Sequence, residues 1–235
     1  MRYFYSFIQK IIEFINANKN GSNILMFHQV NDDREKWYDS GCAISKRSFI
    51  ELIDGLLADE YNFYSIDELE KHTDSKSVFL TFDDIYADAA ENAFPYLIKK
   101  NIPFCVFISE SYIDKKDFIS SKELETLIQE PLCTIGYHTK AHKLMRNLNA
   151  EQIEKELGCA EFEKRIGKRA EFFAFPYGSV YACSKKSIDI AKTMGYKYIF
   201  STLNMPCSFS WFKRKSYFLP RINVSEMNYR KIMGR

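Results

Sequence analysis

The 235-residue sequence lacks the features that mark several large classes of protein. Its six cysteines are scattered and form no Cys-x-x-Cys pair, so we expect no disulfide framework and a reducing compartment. No apolar run approaches the roughly 20 residues of a transmembrane span. The 33 Lys and Arg residues almost balance the 31 Asp and Glu residues, so the net charge of +2 predicts no nucleic-acid partner.

The first twenty residues predict an amphipathic helix and not a cleaved signal peptide. Lys10 and Glu13 interrupt the apolar run, and no small-residue cleavage site follows, so a cytoplasmic location is expected. The apolar residues at helical spacing are Phe4, Phe7, Ile8, Ile11, Ile12 and Ile15. Such a helix either packs on its own domain or makes a peripheral membrane contact through residues 1–18. We assign residues 1–20 to this helix and residues 21–235 to one remaining domain.

The rest of the chain alternates between short apolar runs and stretches of helical periodicity. Seven runs predict buried strands, at residues 24–27, 78–82, 104–108, 133–137, 172–175, 198–201 and 218–224. Apolar strands that do not alternate with polar residues, separated by helices, are typical of a mostly parallel sheet covered by helices. No linker rich in proline, glycine or serine interrupts the pattern. We therefore expect an α/β fold, a distorted (β/α)7 barrel in a single domain.

Polar residues follow several of these runs, at the strand ends where parallel α/β folds place their chemistry. Asp83 and Asp84 follow one run, and two such carboxylates either serve a site or cap the next helix. His138 and His142 follow another run. Four positions apart, they are expected on one face of a helical turn, close enough to share one metal ion.

Two further strand ends complete the set of candidates. His28 follows the first run, where a lone histidine is either structural or a proton donor. Tyr177 lies in a Pro-Tyr-Gly turn, which is either an ordinary tight turn or a source of backbone N–H groups for an oxyanion. One Asp and two His suit Zn²⁺, or another divalent ion such as Co²⁺ or Ni²⁺. Together with a spare carboxylate as base and a spare imidazole as acid, such a metal site could hydrolyse an amide or ester.

Three motifs together resemble those of the polysaccharide deacetylases (carbohydrate esterase family 4, the NodB-homology domain). They are Thr-Phe-Asp-Asp at 81–84, His-Thr-Lys-Ala-His at 138–142 and Phe-Ala-Phe-Pro-Tyr-Gly at 173–178. The resemblance covers residues 24–224. It implies a distorted seven-stranded (β/α) barrel and metal-dependent removal of N- or O-acetyl groups from sugars.

The resemblance also implies roles for individual residues. Asp83 resembles the catalytic base, and the metal ligands would be Asp84, His138 and His142. The Tyr177 backbone N–H would help to hold the oxyanion. Thr139 stands where the family has Ser or Thr near the metal ligands.

The sequence departs from the common pattern in three places. No histidine follows His142, although most members have a late acid histidine. The Leu-Met-Phe-His-Gln-Val segment at 25–30 is similar to a permuted branch that includes poly-N-acetylglucosamine deacetylases, and this resemblance implies that His28 is the acid. Ala174 replaces an arginine that orients the base, and Arg221 is its substitute or else an ordinary surface arginine. Ile85 replaces a usual glycine and is expected to alter the cleft floor.

The leading hypothesis is therefore a metal-dependent deacetylase of an N-acetylated sugar in a polysaccharide, a lipid-linked glycan or a nucleotide sugar. A non-catalytic carbohydrate-binding protein on the same scaffold, and a hydrolase of another C–N bond, are the alternatives. Aromatic residues make up 16% of the chain. Five of them, in the loops 31–42 and 203–215, either stack on sugar rings or pack in the protein. These are Trp37, Tyr38, Phe209, Trp211 and Phe212.

Overall fold

A computed structural model of the chain describes residues 2–16 and 20–234. The strands are β1 (Asn23–Phe27), β2 (Gln29–Val30), β3 (Ala43–Ile44), β4 (Asn62–Phe63), β5 (Ser77–Asp83), β6 (Phe104–Ile108), β7 (Cys133–Tyr137), β8 (Phe172–Ala174), β9 (Tyr198–Phe200) and β10 (Ile222–Asn223). The helices are α1 (Arg2–Asn16), α2 (Lys46–Ala58), α3 (Ala87–Asn92), α4 (Phe94–Lys99), α5 (Ser121–Gln129), α6 (Ala150–Leu157), α7 (Ala160–Ile166), α8 (Lys185–Thr193), α9 (Phe209–Lys215) and α10 (Tyr229–Ile232).

Seven parallel strands form one curled sheet in the order β10-β1-β5-β6-β7-β8-β9. The short strand β4 also pairs with β5. Leu219 pairs with Phe200 of β9 just before the chain reaches β10, which lies beside β1. The last apolar run therefore contacts both edges of the sheet and brings it close to closure. This arrangement confirms the predicted seven-stranded α/β barrel.

The sheet is buried on both faces, which explains why its strands are continuously apolar in sequence. Alternate residues of one strand enter two different clusters: Leu80 and Phe82 pack with the helices, whereas Phe79 packs in the second cluster with Phe107 and Phe200. Aromatic rings make up much of both clusters. Most of the phenylalanines in the sequence therefore fill the core.

Two of the stretches of helical periodicity are each divided into two helices in the structure. Pro95 lies in the first turn of α4, where a missing backbone N–H is tolerated, and α3 ends just before it. The apolar spacing of Ile153, Leu157 and Phe162 predicts a single helix from Asn149 to Gly167. That predicted helix is wrong as one element, because α6 ends at Leu157 and α7 restarts at Ala160. Its predicted ends are both found: Asn149 and Gln152 form a capping box, and Gly167 ends α7 with φ of +67°.

Helix α1 covers residues 2–16 of the predicted N-terminal helix, whereas Met1 and residues 17–19 lie outside the described residues. It packs on the barrel through Ile12, which lies against the core, and through polar atoms. Gln9 Oε1 accepts from the Val180 backbone N–H at 3.1 Å, and Glu13 Oε1 accepts from the Asn204 N–H at 2.8 Å. Of the predicted apolar set, the exposed members are Phe4, Phe7, Ile11 and Ile15. In the described part of the chain, every helix is too short or too polar to cross a membrane.

Candidate active site

A cleft of about 610 Å³ opens at the carboxyl ends of the barrel strands. Six of the seven predicted site residues line it. These are His28, Asp83, Asp84, His138, His142 and Tyr177. The seventh, Arg221, lies directly behind Asp83. Since strand ends that are far apart in sequence meet at one edge of a parallel barrel, the fold brings the whole predicted set together.

Asp83 and Arg221 form a buried bidentate ion pair. The guanidinium donates from Nη1 to Oδ1 at 2.6 Å and from Nη2 to Oδ2 at 2.7 Å. Arg221 is fully buried, so the alternative of an ordinary surface arginine is wrong. Its Nε also donates to the Ser201 carbonyl at 3.0 Å, which leaves the fork only one orientation. Arg221 thus contacts Asp83, the carboxylate that an arginine at position 174 in the third motif would contact.

Asp84, His138 and His142 place one ligand atom each within 4.8 Å of one another. Nε2 of His142 lies 3.1 Å from Asp84 Oδ1, and Nε2 of His138 lies 3.5 Å from the same oxygen. This oxygen is buried and has no hydrogen bond of good geometry within the described residues. Nδ1 of His138 lies 2.7 Å from the Ala174 carbonyl, so it carries the proton and Nε2 keeps its lone pair. The donor set fits a divalent cation such as Zn²⁺.

Burial and neighbouring charges set the protonation states in this cleft. Burial acts to raise the pKa of Asp83, but the charge of Arg221 outweighs it and the pKa is lowered. Burial likewise opposes ionisation of Asp84, and the imidazoles of His142 and His138 lower its pKa overall. Burial lowers the pKa of His138 to about 4. At neutral pH the two carboxylates are therefore ionised and His138 is neutral, as metal binding requires.

The loop 138–142 is not the helical turn that the sequence predicts. Thr139 and His142 have left-handed backbones, with φ of +74° and +51°. The Thr139 hydroxyl accepts from the His142 backbone N–H at 2.9 Å, which closes the loop. The two imidazoles are therefore brought together by a side-chain-stabilised loop and not by helical periodicity. Asp84 and Tyr177 also have positive φ values, of +64° and +59°, so strained backbone recurs around the cleft.

The remaining two candidates differ in how they are held. Tyr177 lies in the predicted turn, which is closed by a hydrogen bond from the Gly178 N–H to the Phe175 carbonyl at 3.1 Å. The Tyr177 backbone N–H itself has no acceptor within the described residues. His28 is half-buried in the cleft wall. Its Nδ1 is buried without a partner among the described residues. Both groups thus keep hydrogen-bonding capacity for a ligand.

Ile85 does not form the cleft floor, so that expectation is wrong. Its side chain is buried in the core with φ of +57°, and the cleft is lined by its neighbours Asp84 and Tyr86. The left-handed turn after Asp84 points the side chain of residue 85 away from the opening. The glycine usual at this position and the isoleucine found here therefore differ in backbone strain and core packing.

Sequence reasoning missed the residues that support the site. Glu156 of α6 is buried and accepts from the Ala141 backbone N–H at 2.8 Å, which anchors the loop of the histidine pair. Gln29 and Asp88 are joined at 3.0 Å and hold the chain that follows His28. Nothing local marks such residues, because an exposed and a buried glutamate on a helix have the same sequence context.

Only Tyr38, of the five loop aromatics, lines the cleft. Trp37 donates from its indole to the Asn31 carbonyl within its own loop. Helix α9, which carries the other three, follows Cys207, and Cys207 pairs with Ser22 at the amino end of β1. These three rings thus lie at the opposite end of the barrel and pack in the protein or face away from the cleft.

A parallel seven-stranded barrel with carboxylates and histidines at its strand ends can support hydrolytic chemistry. A sequence model of the family described as polysaccharide deacetylase matches residues 70–199, more than half of the chain. The chain belongs to the polysaccharide deacetylase family.

Curated relatives agree with this assignment, and solved structures share the fold. The chain is 25% identical, over 98% of its length and 78% of the relative's, to the poly-β-1,6-N-acetyl-D-glucosamine N-deacetylase of Staphylococcus aureus strain MSSA476. The structure of IcaB from Ammonifex degensii aligns with a TM-score of 0.75 at 23% identity, over 92% of this chain and 97% of that one. The Streptococcus pyogenes deacetylase PplD aligns with a TM-score of 0.78 at 19% identity, over 91% and 98%.

Proposed function

We propose that this protein is a divalent-metal-dependent deacetylase that removes N-acetyl groups from N-acetylglucosamine units of a polysaccharide. One observation carries the proposal: the Asp84, His138 and His142 cluster lies in the same cleft as the Asp83–Arg221 pair. Relatives named poly-β-1,6-N-acetyl-D-glucosamine N-deacetylases support this sugar as the substrate. Lipid-linked or nucleotide-linked forms of the sugar are less favoured, because the relatives' names specify a polymer.

Asp84, His138 and His142 would hold the ion, which lowers the pKa of a water molecule and polarises the amide carbonyl when bound. Asp83 would accept the proton of the attacking water. Its Oδ2 lies 4.0 Å from His138 Nε2, so it faces the cluster. Each carboxylate oxygen keeps a lone pair beyond those that Arg221 occupies. The guanidinium thus orients the base without blocking it.

Two further groups would act on the substrate itself. The Tyr177 backbone N–H would donate to the oxyanion that develops when the amide carbon is attacked. His28 would donate a proton to the leaving amine, since it lines the same cleft and is not part of the ligand cluster. The atoms balance: water adds its hydroxyl to the acyl carbon, its proton passes to Asp83, and the C–N bond breaks as the nitrogen is protonated.

Ala174 and Ile85, which depart from the family pattern, are the features that favour a non-catalytic binding protein. Arg221 makes the contact with Asp83 that an arginine at position 174 would provide. Ile85 lies in the core, outside the cleft. Neither departure removes a group that the proposed reaction needs, so the deacetylase is favoured.

Metal analysis together with acetate release tests this proposal. Purified wild-type protein is expected to hold about one divalent ion per chain and to release acetate from oligomers of β-1,6-linked N-acetylglucosamine. His138→Ala should lose the ion and the activity. Asp83→Asn should keep the ion, because Asp83 is not in the ligand cluster, and lose activity about 100-fold or more.

Matched controls lie elsewhere on the chain. His72 lies outside the cleft, where its ring stacks on that of Tyr64 with the two centroids 3.5 Å apart. His72→Ala should therefore keep both metal and activity. Asp189 pairs with surface lysines of α8, so Asp189→Asn should behave as wild type. Absence of metal from the wild type after zinc is added back would contradict the proposal and favour the binding protein.

A further inference from the structure

The side chain of Gln9, on helix α1, joins two loops of the barrel. Its Oε1 accepts from the Val180 backbone N–H at 3.1 Å, and its Nε2 donates to the Thr202 carbonyl at 3.4 Å. Val180 belongs to the Tyr177 turn (residues 175–180), which follows strand β8. Thr202 belongs to the β9 loop (residues 201–204), which follows strand β9. One half-buried amide therefore ties together the chain segments that leave two neighbouring strands.

Glu13, one turn further along α1, completes this contact. Its Oε1 accepts from the Asn204 backbone N–H at 2.8 Å and from Gln9 Nε2 at 2.9 Å. The Gln9 amide thus has two acceptors beside its nitrogen and one donor beside its oxygen. Only one orientation of the amide makes all three hydrogen bonds, so the bridge has a defined geometry.

The β9 loop in turn holds the Tyr177 turn. The Thr202 hydroxyl donates to the Tyr177 carbonyl at 3.0 Å, and the Thr202 N–H donates to the Gly178 carbonyl at 2.9 Å. A Cβ at Gly178 would lie 2.7 Å from the Thr202 nitrogen, so the two backbones approach too closely for a side chain there. The Ser201 carbonyl of the same loop accepts from Arg221 Nε. The β9 loop therefore contacts both the turn of the oxyanion donor and the arginine that orients the base.

We infer that Gln9 is a positioning residue, which fixes the Tyr177 backbone N–H by clamping the Tyr177 turn to the β9 loop. The inference rests on the proposed function, in which this N–H donates to the oxyanion. Tyr177 has φ of +59°, a conformation that a residue other than glycine keeps only when its surroundings impose it. An oxyanion donor acts through being held in place before the reaction. Loss of the clamp should therefore lower kcat and leave the ligand cluster intact.

Amide hydrogen exchange tests the clamp without substrate or metal. It is measured by NMR on wild type, Gln9→Met and Gln129→Met, since methionine is close to glutamine in length but makes none of these hydrogen bonds. The N–H groups of Gly178 and Thr202 should exchange about tenfold faster in Gln9→Met, the effect of losing about one hydrogen bond. Gln129 is exposed on α5, so Gln129→Met should match wild type. Unchanged exchange at both groups in Gln9→Met would overturn the inference.

Kinetics on β-1,6-linked N-acetylglucosamine oligomers show whether the clamp serves catalysis. Removing an oxyanion donor costs about 100-fold or more in kcat, so its displacement in Gln9→Met should cost about tenfold. KM, and zinc affinity measured by calorimetry, should stay close to those of the wild type. Glu13→Gln keeps an acceptor for the Asn204 N–H and should retain kcat, whereas Glu13→Met should lower it as Gln9→Met does.

The two measurements separate failure of the clamp from failure of the proposed function. Faster exchange in Gln9→Met with unchanged kcat would overturn the inference, because Gln9 would then act on the fold alone. A loss of zinc affinity in parallel with kcat would also overturn it. If the wild type releases no acetate, the proposed function fails, and faster exchange in Gln9→Met still supports the role of Gln9 in holding the turn.

Discussion

Asp83 and Arg221 carry full charges in a part of the molecule that excludes water. Removing two ions from water costs several kcal/mol, and only close bidentate geometry with further hydrogen bonds offsets that cost. Both conditions are met here, since the guanidinium also reaches the Ser201 carbonyl and, at 3.3 Å, the Thr81 hydroxyl. Such a pair adds little net stability. Its effect is to hold one carboxylate ionised and in one orientation.

Ile85 shows a conflict between backbone and side chain at a single residue. A β-branched residue at φ of +57° is strained by about 1–2 kcal/mol, yet its side chain is buried and contributes to the core. In the interior of a helix, a glycine variant is less stable than the alanine variant by about 1 kcal/mol. We predict that this difference vanishes or reverses at position 85.

The measurement is urea denaturation of Ile85→Ala and Ile85→Gly, compared with Ile53→Ala and Ile53→Gly. Ile53 is fully buried in α2 and serves as the matched helical site. All four variants lose core contacts, so only the alanine–glycine difference within each pair is informative. The same preference for alanine at both positions would contradict the argument from backbone strain.

At the scale of an element, the loop 138–142 depends on α6. Glu156 accepts from the Ala141 N–H and pairs with Lys143 Nζ at 3.0 Å. We predict that Glu156→Ala weakens zinc binding by about 10- to 100-fold, as is usual when a group that orients metal ligands is removed. Competition calorimetry against a chelator measures the change. Glu154→Ala, on the exposed face of α6, is the control, and equal zinc affinity in the two variants would contradict the prediction.

A half-buried carboxylate, that of Glu226, lies at the start of helix α2. Glu226 accepts from the Ser45 backbone N–H at 2.9 Å and from the Ser48 hydroxyl at 3.1 Å. Burial acts to raise the pKa of Glu226, and these hydrogen bonds outweigh it, so the pKa is lowered on folding. A group with a lowered folded pKa stabilises the protein above its unfolded pKa, and that contribution is lost as the pH falls through the folded value.

We therefore predict that Glu226→Gln lowers the free energy of unfolding by about 1 kcal/mol at pH 7. The deficit relative to wild type should shrink as the pH is lowered below about 4.5, where the unfolded carboxyl gains its proton. Urea denaturation at several pH values measures the difference between the two proteins. A deficit that stays constant from pH 7 to pH 3.5 would show that the charge of Glu226 is not its source.

At the scale of the whole molecule, α1 joins the barrel on one side and exposes large apolar residues on the other. Arg146 strengthens the inner contact, since its guanidinium lies 4.2 Å from the Tyr5 ring centroid and 5.1 Å from that of Tyr181. The exposed apolar side chains of α1 are Tyr3, Phe4, Phe7, Ile11, Phe14 and Ile15. An apolar helix face of this kind is typical of binding in the plane of a membrane surface.

Peripheral membrane contact through α1 and the cytoplasmic location both stay predictions. Vesicle binding tests the membrane contact. Wild-type protein should sediment with phospholipid vesicles, and replacement of Phe7 and Phe14 together by serine should abolish this. Both side chains are exposed, so the double variant should fold as wild type does. Phe209→Ser, at an exposed position of α9, is the control. Equal sedimentation of wild type and the double variant would contradict the prediction.

Much of the fold and of the candidate site could be predicted because the signals are local. A strand that is buried on both faces must be a continuous apolar run, and all seven predicted runs lie in the curled sheet or at its closing edge. Strand carboxyl ends converge in any parallel barrel, so Asp83, Asp84, His138 and His142 could be placed together before their geometry was known. Helix caps such as Asn149 were predictable for the same reason, since capping acts within one turn.

Other features depend on contacts that only the folded chain makes. Arg221 meets Asp83 across 138 positions of sequence, and its burial distinguishes it from a surface arginine. The left-handed loop of Thr139 and His142 forms because Glu156, on a different element, satisfies its backbone. The exposed face of α1 was set by polar contacts of Gln9 and Glu13 with distant loops. Sequence periodicity determines which residues are apolar, strand-forming or helix-capping, whereas the order of strands around the barrel decides which distant side chains meet.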